Sequence, residues 1–239
     1  MAYKQEQINP YRKEGEKSEQ VEAMFDNIAP TYDLLNHLLS LGIDRRWRRN
    51  SIDALGVYEP EKVLDVACGT GDFTGLLRDR IGSSEIIGCD LSEGMLQVAR
   101  KKFPELTFEK ADCMDLPYKT ATFDAVTIAY GVRNFQDLDK GLREMRRVLK
   151  QGGHLLILEL ATPPHFPMRE LFWIYSHVVM PSLGWLFSHD SKAYSYLPST
   201  MEAFPQAERM QQIILEAGYR KVNWHRYTFG LCTMYMAER

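Results

Sequence analysis

The sequence predicts an α/β fold, a seven-stranded and mostly parallel sheet that ends in an antiparallel hairpin and is preceded by a helical cap. Three observations carry the prediction. From Lys62 onward, short runs of β-prone apolar residues alternate with segments whose apolar positions recur at helical spacing, as in successive β-α units. The run Val63, Leu64 and Val66 passes through Asp65 into small residues and the pair Gly69 and Gly71, which reads as a buried strand ending in a tight turn. The next predicted strands end on Asp90 and Asp112, at the sheet edge where open α/β folds take their ligands.

The glycine turn fixes what that ligand can be. Glycines at a strand end let the backbone approach a bound molecule, because no Cβ intervenes and positive φ is accessible. A dinucleotide fingerprint would place a third glycine or alanine three residues after the second, and would leave the helix N-terminus free for pyrophosphate. Here Asp72 follows Gly71 directly and Thr74 takes the third place. A carboxylate there repels phosphate, so a ligand carrying positive charge and a sugar hydroxyl pair fits better. S-adenosylmethionine supplies a sulfonium, an ammonium and a ribose. Asp90, nineteen residues after Gly71, is placed to accept from ribose hydroxyls. Asp112 is placed to meet an adenine amino group.

The chain has 239 residues, 45% of them hydrophobic, enough to bury a sizeable core in one domain. A formal net charge of −3 gives no global field for nucleic acid. Cys68, Cys89, Cys113 and Cys232 are widely spaced, form no C-x-x-C pair, and read as reduced packing residues. The first twenty residues are polar and lack the apolar core of a signal peptide, so a cytoplasmic location is expected.

In chain order, residues 1–17 read as a flexible arm rich in charge and amide, and residues 18–239 as a single domain. Apolar positions at helical spacing, split by Pro30, predict two helices between Ser18 and Leu41, the start of a cap over 18–58. Arg45, Arg46, Arg48 and Arg49 around Trp47 read as a solvated helix face, with an anionic membrane surface as the competing partner. Strands are predicted at Lys62 to Ala67, Glu85 to Cys89, Thr107 to Ala111, Phe123 to Tyr130 and His154 to Leu160. Helices are predicted at Asp72 to Arg80, Glu93 to Phe103 with Ser92 as N-cap, and Asp137 to Leu149. The Phe123 to Tyr130 run is almost wholly apolar, as expected of a central strand covered on both faces, and it delivers Gly131, Val132, Arg133 and Asn134 to the crevice. A buried arginine there needs a partner or a substrate oxygen. Residues 161–200 form an insertion whose apolar stretch, Phe166 to Phe187, is short for a bilayer span and broken by proline. It reads equally as a lipid-facing groove and as a core helix. Tyr194, Tyr196 and Pro198 are expected to precede a helix from Glu202 to Ala217, and strands from Lys221 to Tyr227 and Leu231 to Ala237 close the chain.

The strand, glycine and acid pattern resembles the class I S-adenosylmethionine-dependent methyltransferases, which implies their Rossmann-like fold. More specifically, Tyr32-Asp33, Asn36, Ser40 and Trp47 are similar to one signature of the demethylmenaquinone and ubiquinone-precursor C-methyltransferases. Arg147 to Lys150 with Gly152-Gly153 and Glu159 are similar to a second, and Gly131 to Asn134 and Tyr194 to Ser199 also fit. This chain departs from the pattern at Asp44, where histidine is usual, and at Ala161, where serine is usual.

The resemblance implies C-methylation of demethylmenaquinol, alone or together with the ubiquinone-precursor benzoquinol, with S-adenosylmethionine as donor and no metal. It implies cofactor contacts from Thr70, Asp90, Asp112 and Cys113, within a cofactor side that also takes in Asp65, Gly69, Gly71, Leu91, Met95 and Ala129. The acceptor must be the reduced quinol, since an ionised phenolic oxygen enriches the neighbouring ring carbon, and a phenol of pKa about 10 needs help near neutrality. Arg133 and Asn134 are expected to orient the quinolate, with His165, Tyr194 or Tyr196 as proton acceptor. The expected partners are a polyprenylated quinol, the inner face of a membrane touched peripherally, and a second copy of the chain in a homodimer, with no nucleic acid. Rival readings are a nicotinamide dehydrogenase, disfavoured by Asp72, a nucleic-acid methyltransferase, disfavoured by Pro163-Pro164-His165-Phe166 lacking a preceding Asn or Asp, and a non-catalytic cofactor-binding module.

Overall fold

A computed structural model describes residues 2–11, 15–82, 85–179 and 191–239. Its centre is a seven-stranded sheet in the order β3-β2-β1-β4-β5-β7-β6. The strands are β1 (Lys62–Val66), β2 (Glu85–Asp90), β3 (Thr107–Lys110), β4 (Phe123–Ala129), β5 (Leu149–Leu160), β6 (Arg220–Tyr227) and β7 (Cys232–Glu238). The first five run parallel, and β7 slots antiparallel between β5 and β6. This is the predicted sheet. Its one notable extension is β5, which starts at Leu149, pairs there with Phe123, and shifts register before His154 meets Ala125. Gly152, at φ 75°, takes the turn within it.

Alternation along the central strands builds a core on each face. Leu64, Val126, Ile128, Leu155 and Ile157 pack against α6 (Leu138–Val148) and the helix Glu208–Glu216. Val63, Ala125, Leu156 and Leu158 pack on the other face against α3 (Asp44–Gly56) and α4 (Asp72–Arg80). Residues buried on both faces explain why β4 is apolar almost throughout. Asp65 is the buried polar member of β1. It faces α4 and is fully buried.

The cap consists of α1 (Lys17–Ile28) and α2 (Tyr32–Leu39), joined by a 3-10 turn at Ala29–Thr31 that contains Pro30. Two carboxylates tie it to the sheet edge. Asp26 Oδ1 accepts from the Ser92 hydroxyl at 2.6 Å and the Gly94 amide at 2.8 Å, at the start of α5 (Glu93–Lys102). Asp33 accepts from the Thr70 hydroxyl at 2.5 Å and from Lys102 Nζ at 2.7 Å, and Lys102 also reaches Asp72. Residues 2–11, expected as an arm, carry a 3-10 turn at Lys4–Gln7; Tyr3 donates to Asp139 at 2.9 Å and Glu6 caps the Leu138 amide at 2.8 Å.

The C-terminal helices differ from expectation. Ser191–Ala203 is a helix with Pro198 inside it, so Tyr194 and Tyr196 lie within this helix and do not precede it. A break at Phe204–Ala207 separates it from Glu208–Glu216. Pro198 lacks an N–H for the helix ladder, and Thr200 donates its hydroxyl to the carbonyls of Tyr196 and Leu197, both at 3.0 Å, in the turn that proline disturbs. Of the apolar stretch Phe166 to Phe187, the described part is a turn at 166–167, α7 (Met168–Ile174) and a π-turn at Tyr175–Val179; residues 180–187 lie outside the described residues. Among the described residues no helix is long and apolar enough to cross a membrane.

Candidate active site

The turn after β1 is built by backbone in the left-handed region: Ala67 at φ 51°, Gly69 at 57° and Gly71 at 80°. At Gly71 a side chain is excluded twice, by that φ and by the Phe108 ring, 2.9 Å from where its Cβ would sit. The turn is held by Asp90, whose carboxylate accepts the Gly69 amide at 2.8 Å and the Ser92 amide at 2.9 Å. Burial raises the Asp90 carboxyl, and the amides of Ser92, Gly69 and Leu91 oppose that rise. Asp112 is fixed in the same way by the Met114 amide at 2.8 Å. Burial pushes the neighbouring Cys113 thiol well above its ordinary value, so it is a neutral wall and not a nucleophile.

These groups enclose a cavity of about 90 Å³. Gly69, Asp90, Leu91, Met95, Asp112, Cys113 and Ala129 all line it. Its charged lining residues are Glu22, Asp90 and Asp112, with no lysine or arginine among the described ones. Such a wall suits a cationic ligand with hydroxyl and amino groups to donate. Phe25 and Tyr32 of the cap also line it, and its volume is well below the ~300 Å³ at which small-molecule sites begin.

Three of the sequence-predicted cofactor residues stand back from this cavity. The Asp65 carboxylate accepts from Thr74 at 2.6 Å and Thr127 at 2.8 Å inside the core, because the alternation of β1 turns it toward α4 and not toward the strand end. Thr70 is buried under its bond to Asp33. Gly71 is the helix N-cap, packed on Phe108.

A second cavity, of about 500 Å³, shares Phe25, Tyr32, Tyr130 and Asn134 with the first. Its wall is mostly apolar, from Met24, Ile28, Trp47, Leu171, Phe172 and Leu197 among others. Into it project Tyr32, Asp44, Arg48, Arg133, Asn134 and Tyr196. Arg133, 6% exposed, pairs with Glu159 at 2.7 Å through Nη1, also donates to the Tyr130 carbonyl, and sends its backbone amide to Glu159 at 3.2 Å. Among the described residues, Arg133 Nε, Asn134 Oδ1 and the Tyr196 hydroxyl have no hydrogen-bond partner, though all three are buried. Buried polar atoms left unmet cost about 1–3 kcal/mol each, which marks where a polar ligand group belongs. Burial raises the phenols of Tyr32 and Tyr196, and Arg133 opposes the rise at both.

Of the expected acceptor residues, then, Arg133, Asn134 and Tyr196 converge. His165 is exposed and lines neither cavity. The Tyr194 side chain lies outside the described residues. Arg48 was read as part of a solvated face, and Arg45, Arg46 and Arg49 are indeed exposed. Arg48 itself is buried, with Nε 3.3 Å from Asp44 Oδ2 and its guanidinium 4.9 Å from the centre of the Tyr130 ring. The signal for it was present: Asp44 and Arg48 stand four apart on one helix face.

Residues 13–239 match the model of the ubiE/COQ5 methyltransferase family. The chain is 54% identical to a demethylmenaquinone methyltransferase of Bacteroides fragilis, over 100% of both chains. It is 42% identical to the protein of that name from Porphyromonas gingivalis, over 97% of each. Among solved structures, a SAM-dependent methyltransferase from Thermotoga maritima superposes with a TM-score of 0.66 over 91% of this chain and 98% of that one, at 18% identity, a likeness of fold alone.

Proposed function

The chain belongs to the ubiE/COQ5 methyltransferase family, and from that membership we propose that it transfers a methyl group from S-adenosylmethionine to a ring carbon of demethylmenaquinol, giving menaquinol. The observation that carries this reading is the pair of cavities that meet at Tyr32, Tyr130 and Asn134, one acidic and beside the glycine turn, the other apolar with a buried arginine. The acidic lining suits the ribose, amino and sulfonium groups of S-adenosylmethionine: in this reading Asp90 and Asp112 accept from ribose and adenine, Gly69 allows close backbone approach, and Met95, Leu91 and Ala129 make apolar contact. When bound, S-adenosylmethionine supplies the methyl on a sulfonium that needs no further activation.

The chain's own residues then have three tasks. The apolar wall of the larger cavity takes the ring and the start of its prenyl tail and excludes water. Arg133, held in place by Glu159, presents positive charge to the acceptor oxygen and lowers the cost of its ionisation. Asn134, which lines both cavities, fixes the ring against the methyl, so that positioning supplies much of the rate.

The mouth of the larger cavity supports a location at a membrane surface. Leu171, Phe172 and Tyr175 of the α7 segment line the cavity, while Phe166, Trp173, Ile174 and Val178 on the same segment are more than half exposed. An apolar rim there lets a prenyl tail remain in lipid while the ring is bound, with the protein on the cytoplasmic side of the membrane. The reading is tested by incubating the protein with labelled S-adenosylmethionine and reduced demethylmenaquinone, with the benzoquinol precursor in parallel. One added methyl on demethylmenaquinol is expected. Label on neither quinol overturns it.

A further inference from the structure

Accepting that methyl transfer as its basis, we propose that Asp44 is the catalytic residue that takes the proton from the quinol hydroxyl. The carboxylate sits on the first turn of α3, 5% exposed, and faces the larger cavity. Among the described lining residues of that cavity it is the one carboxylate, and none of them is a histidine.

The other groups within reach are poor acceptors. Tyr32 and Tyr196 are held protonated by burial and so donate. Glu159 is spent on the Arg133 side chain and amide and on the Leu160 amide at 2.8 Å, and does not line the cavity. His165 is on the outside.

Asp44 is also held in a way that suits a base. Ser40 donates to Oδ1 at 2.6 Å and Arg48 stands 3.3 Å from Oδ2, so the buried carboxylate is held oriented with a cation beside it. The titratable groups around it are Arg48 on its own helix, Tyr130 at the end of β4 and Cys232 on β7, with Tyr32 across the cavity beside Arg48. Burial pushes Tyr130 and Cys232 well up, so Arg48 is the cation of this group, and it remains beside the oxygen after Asp44 is neutralised.

The proton balance is simple. The quinol O–H bond breaks and an O–H bond forms on the Asp44 carboxylate. The charge left on the phenolic oxygen moves onto the ring carbon as that carbon forms its bond to the methyl; the methyl–sulfur bond breaks, its electron pair stays on sulfur as a neutral thioether, and the phenolic oxygen becomes a carbonyl. Loss of the ring C–H proton to solvent restores the aromatic ring, and Asp44 returns its proton to the oxygen. One proton is released per methyl transferred.

The test compares Asp44→Asn, an isosteric change, with Asp44→His, which restores a base of a different titration range. Asp44→Asn is expected to lower kcat roughly 100- to 10,000-fold, the usual worth of a positioned general base, with S-adenosylmethionine affinity by calorimetry unchanged. Asp44→His is expected to keep activity and to move the acidic limb of the kcat–pH profile upward, toward the imidazole range. Wild-type kcat in Asp44→Asn overturns the assignment. So does a folded, cofactor-binding Asp44→His that is inactive or keeps the wild-type pH limb, which would leave Asp44 only as the partner of Arg48. If the wild-type protein methylates no quinol, the methyl-transfer reading fails first; if it does and the variants behave as just described, this inference fails alone.

Discussion

Asp65→Asn separates a structural carboxylate from a cofactor contact, and its effect can be worked out from the structure. Burial pushes the Asp65 carboxyl from 3.8 up to about 6, with the hydroxyls of Thr74 and Thr127 opposing. Ionising it in the folded chain therefore costs about two pKa units more than in the unfolded chain, roughly 3 kcal/mol at 1.36 kcal/mol per unit. The sign follows from linkage. The folded state holds this proton more tightly, so the contribution of Asp65 to stability is most favourable below the unfolded value, declines between 3.8 and about 6, and is lost above. Asparagine has no such equilibrium. Stability of Asp65→Asn minus that of the wild type should thus rise by roughly 3 kcal/mol between about pH 4 and about pH 7. Urea unfolding at the two pH values measures it, with other carboxylates common to both proteins. S-adenosylmethionine affinity should be unchanged, because Asp65 does not line the cavity. A difference that stays flat or falls with pH refutes the reasoning, and a loss of cofactor affinity without that stability change would return Asp65 to the binding site.

Other outcomes follow from the same geometry. Arg133→Ala leaves Glu159, 1% exposed, without its cation and should cost about 3–5 kcal/mol in chemical denaturation, whereas the pair Arg133→Met with Glu159→Gln should recover most of that stability and no methyl transfer. Gly131→Ala would bring a Cβ to 2.7 Å from that of Ala67, so the turn between the two cavities must shift, with a stability loss of about 1–3 kcal/mol and weaker cofactor binding by calorimetry. Replacing Trp173 and Ile174 by serine should reduce co-sedimentation with anionic vesicles while leaving methylation of a short-tailed, water-soluble quinol unchanged, since neither side chain lines the cavity.

The strands and the glycine turn were legible because burial on two faces leaves a local trace in the residue pattern. Leu64 against Val63, the apolar run of β4, and Gly69 with Gly71 all report on neighbours a few residues away. Arg133 was legible too, since a strand end of that kind must deliver its side chains to the crevice. What escaped depends on contacts distant in sequence. The Tyr3 bond to Asp139 spans 136 residues, and nothing local in residues 2–11 announces it. Arg48 has a local partner in Asp44, but the ring its guanidinium lies against belongs to Tyr130, more than eighty residues on. Asp65 was placed in the cofactor site by its closeness to the turn, whereas the alternation of β1 sends it to Thr74. The single helix expected over Glu202 to Ala217 is two, Ser191–Ala203 and Glu208–Glu216, because Pro198 is accommodated inside the first, where its sequence signal reads as a stop. His165 stood out as a titratable residue beside prolines, and the chain leaves it on the surface.

The central claim is that the acidic and apolar cavities serve one methyl transfer across the wall formed by Tyr32, Tyr130 and Asn134. Mass analysis of reduced demethylmenaquinone after incubation with the protein and isotopically labelled S-adenosylmethionine tests it directly. Menaquinol carrying the labelled methyl on its ring carbon is expected, and no transfer when the quinone is kept oxidised. Equal transfer to the oxidised quinone, or label bound on oxygen, would contradict it.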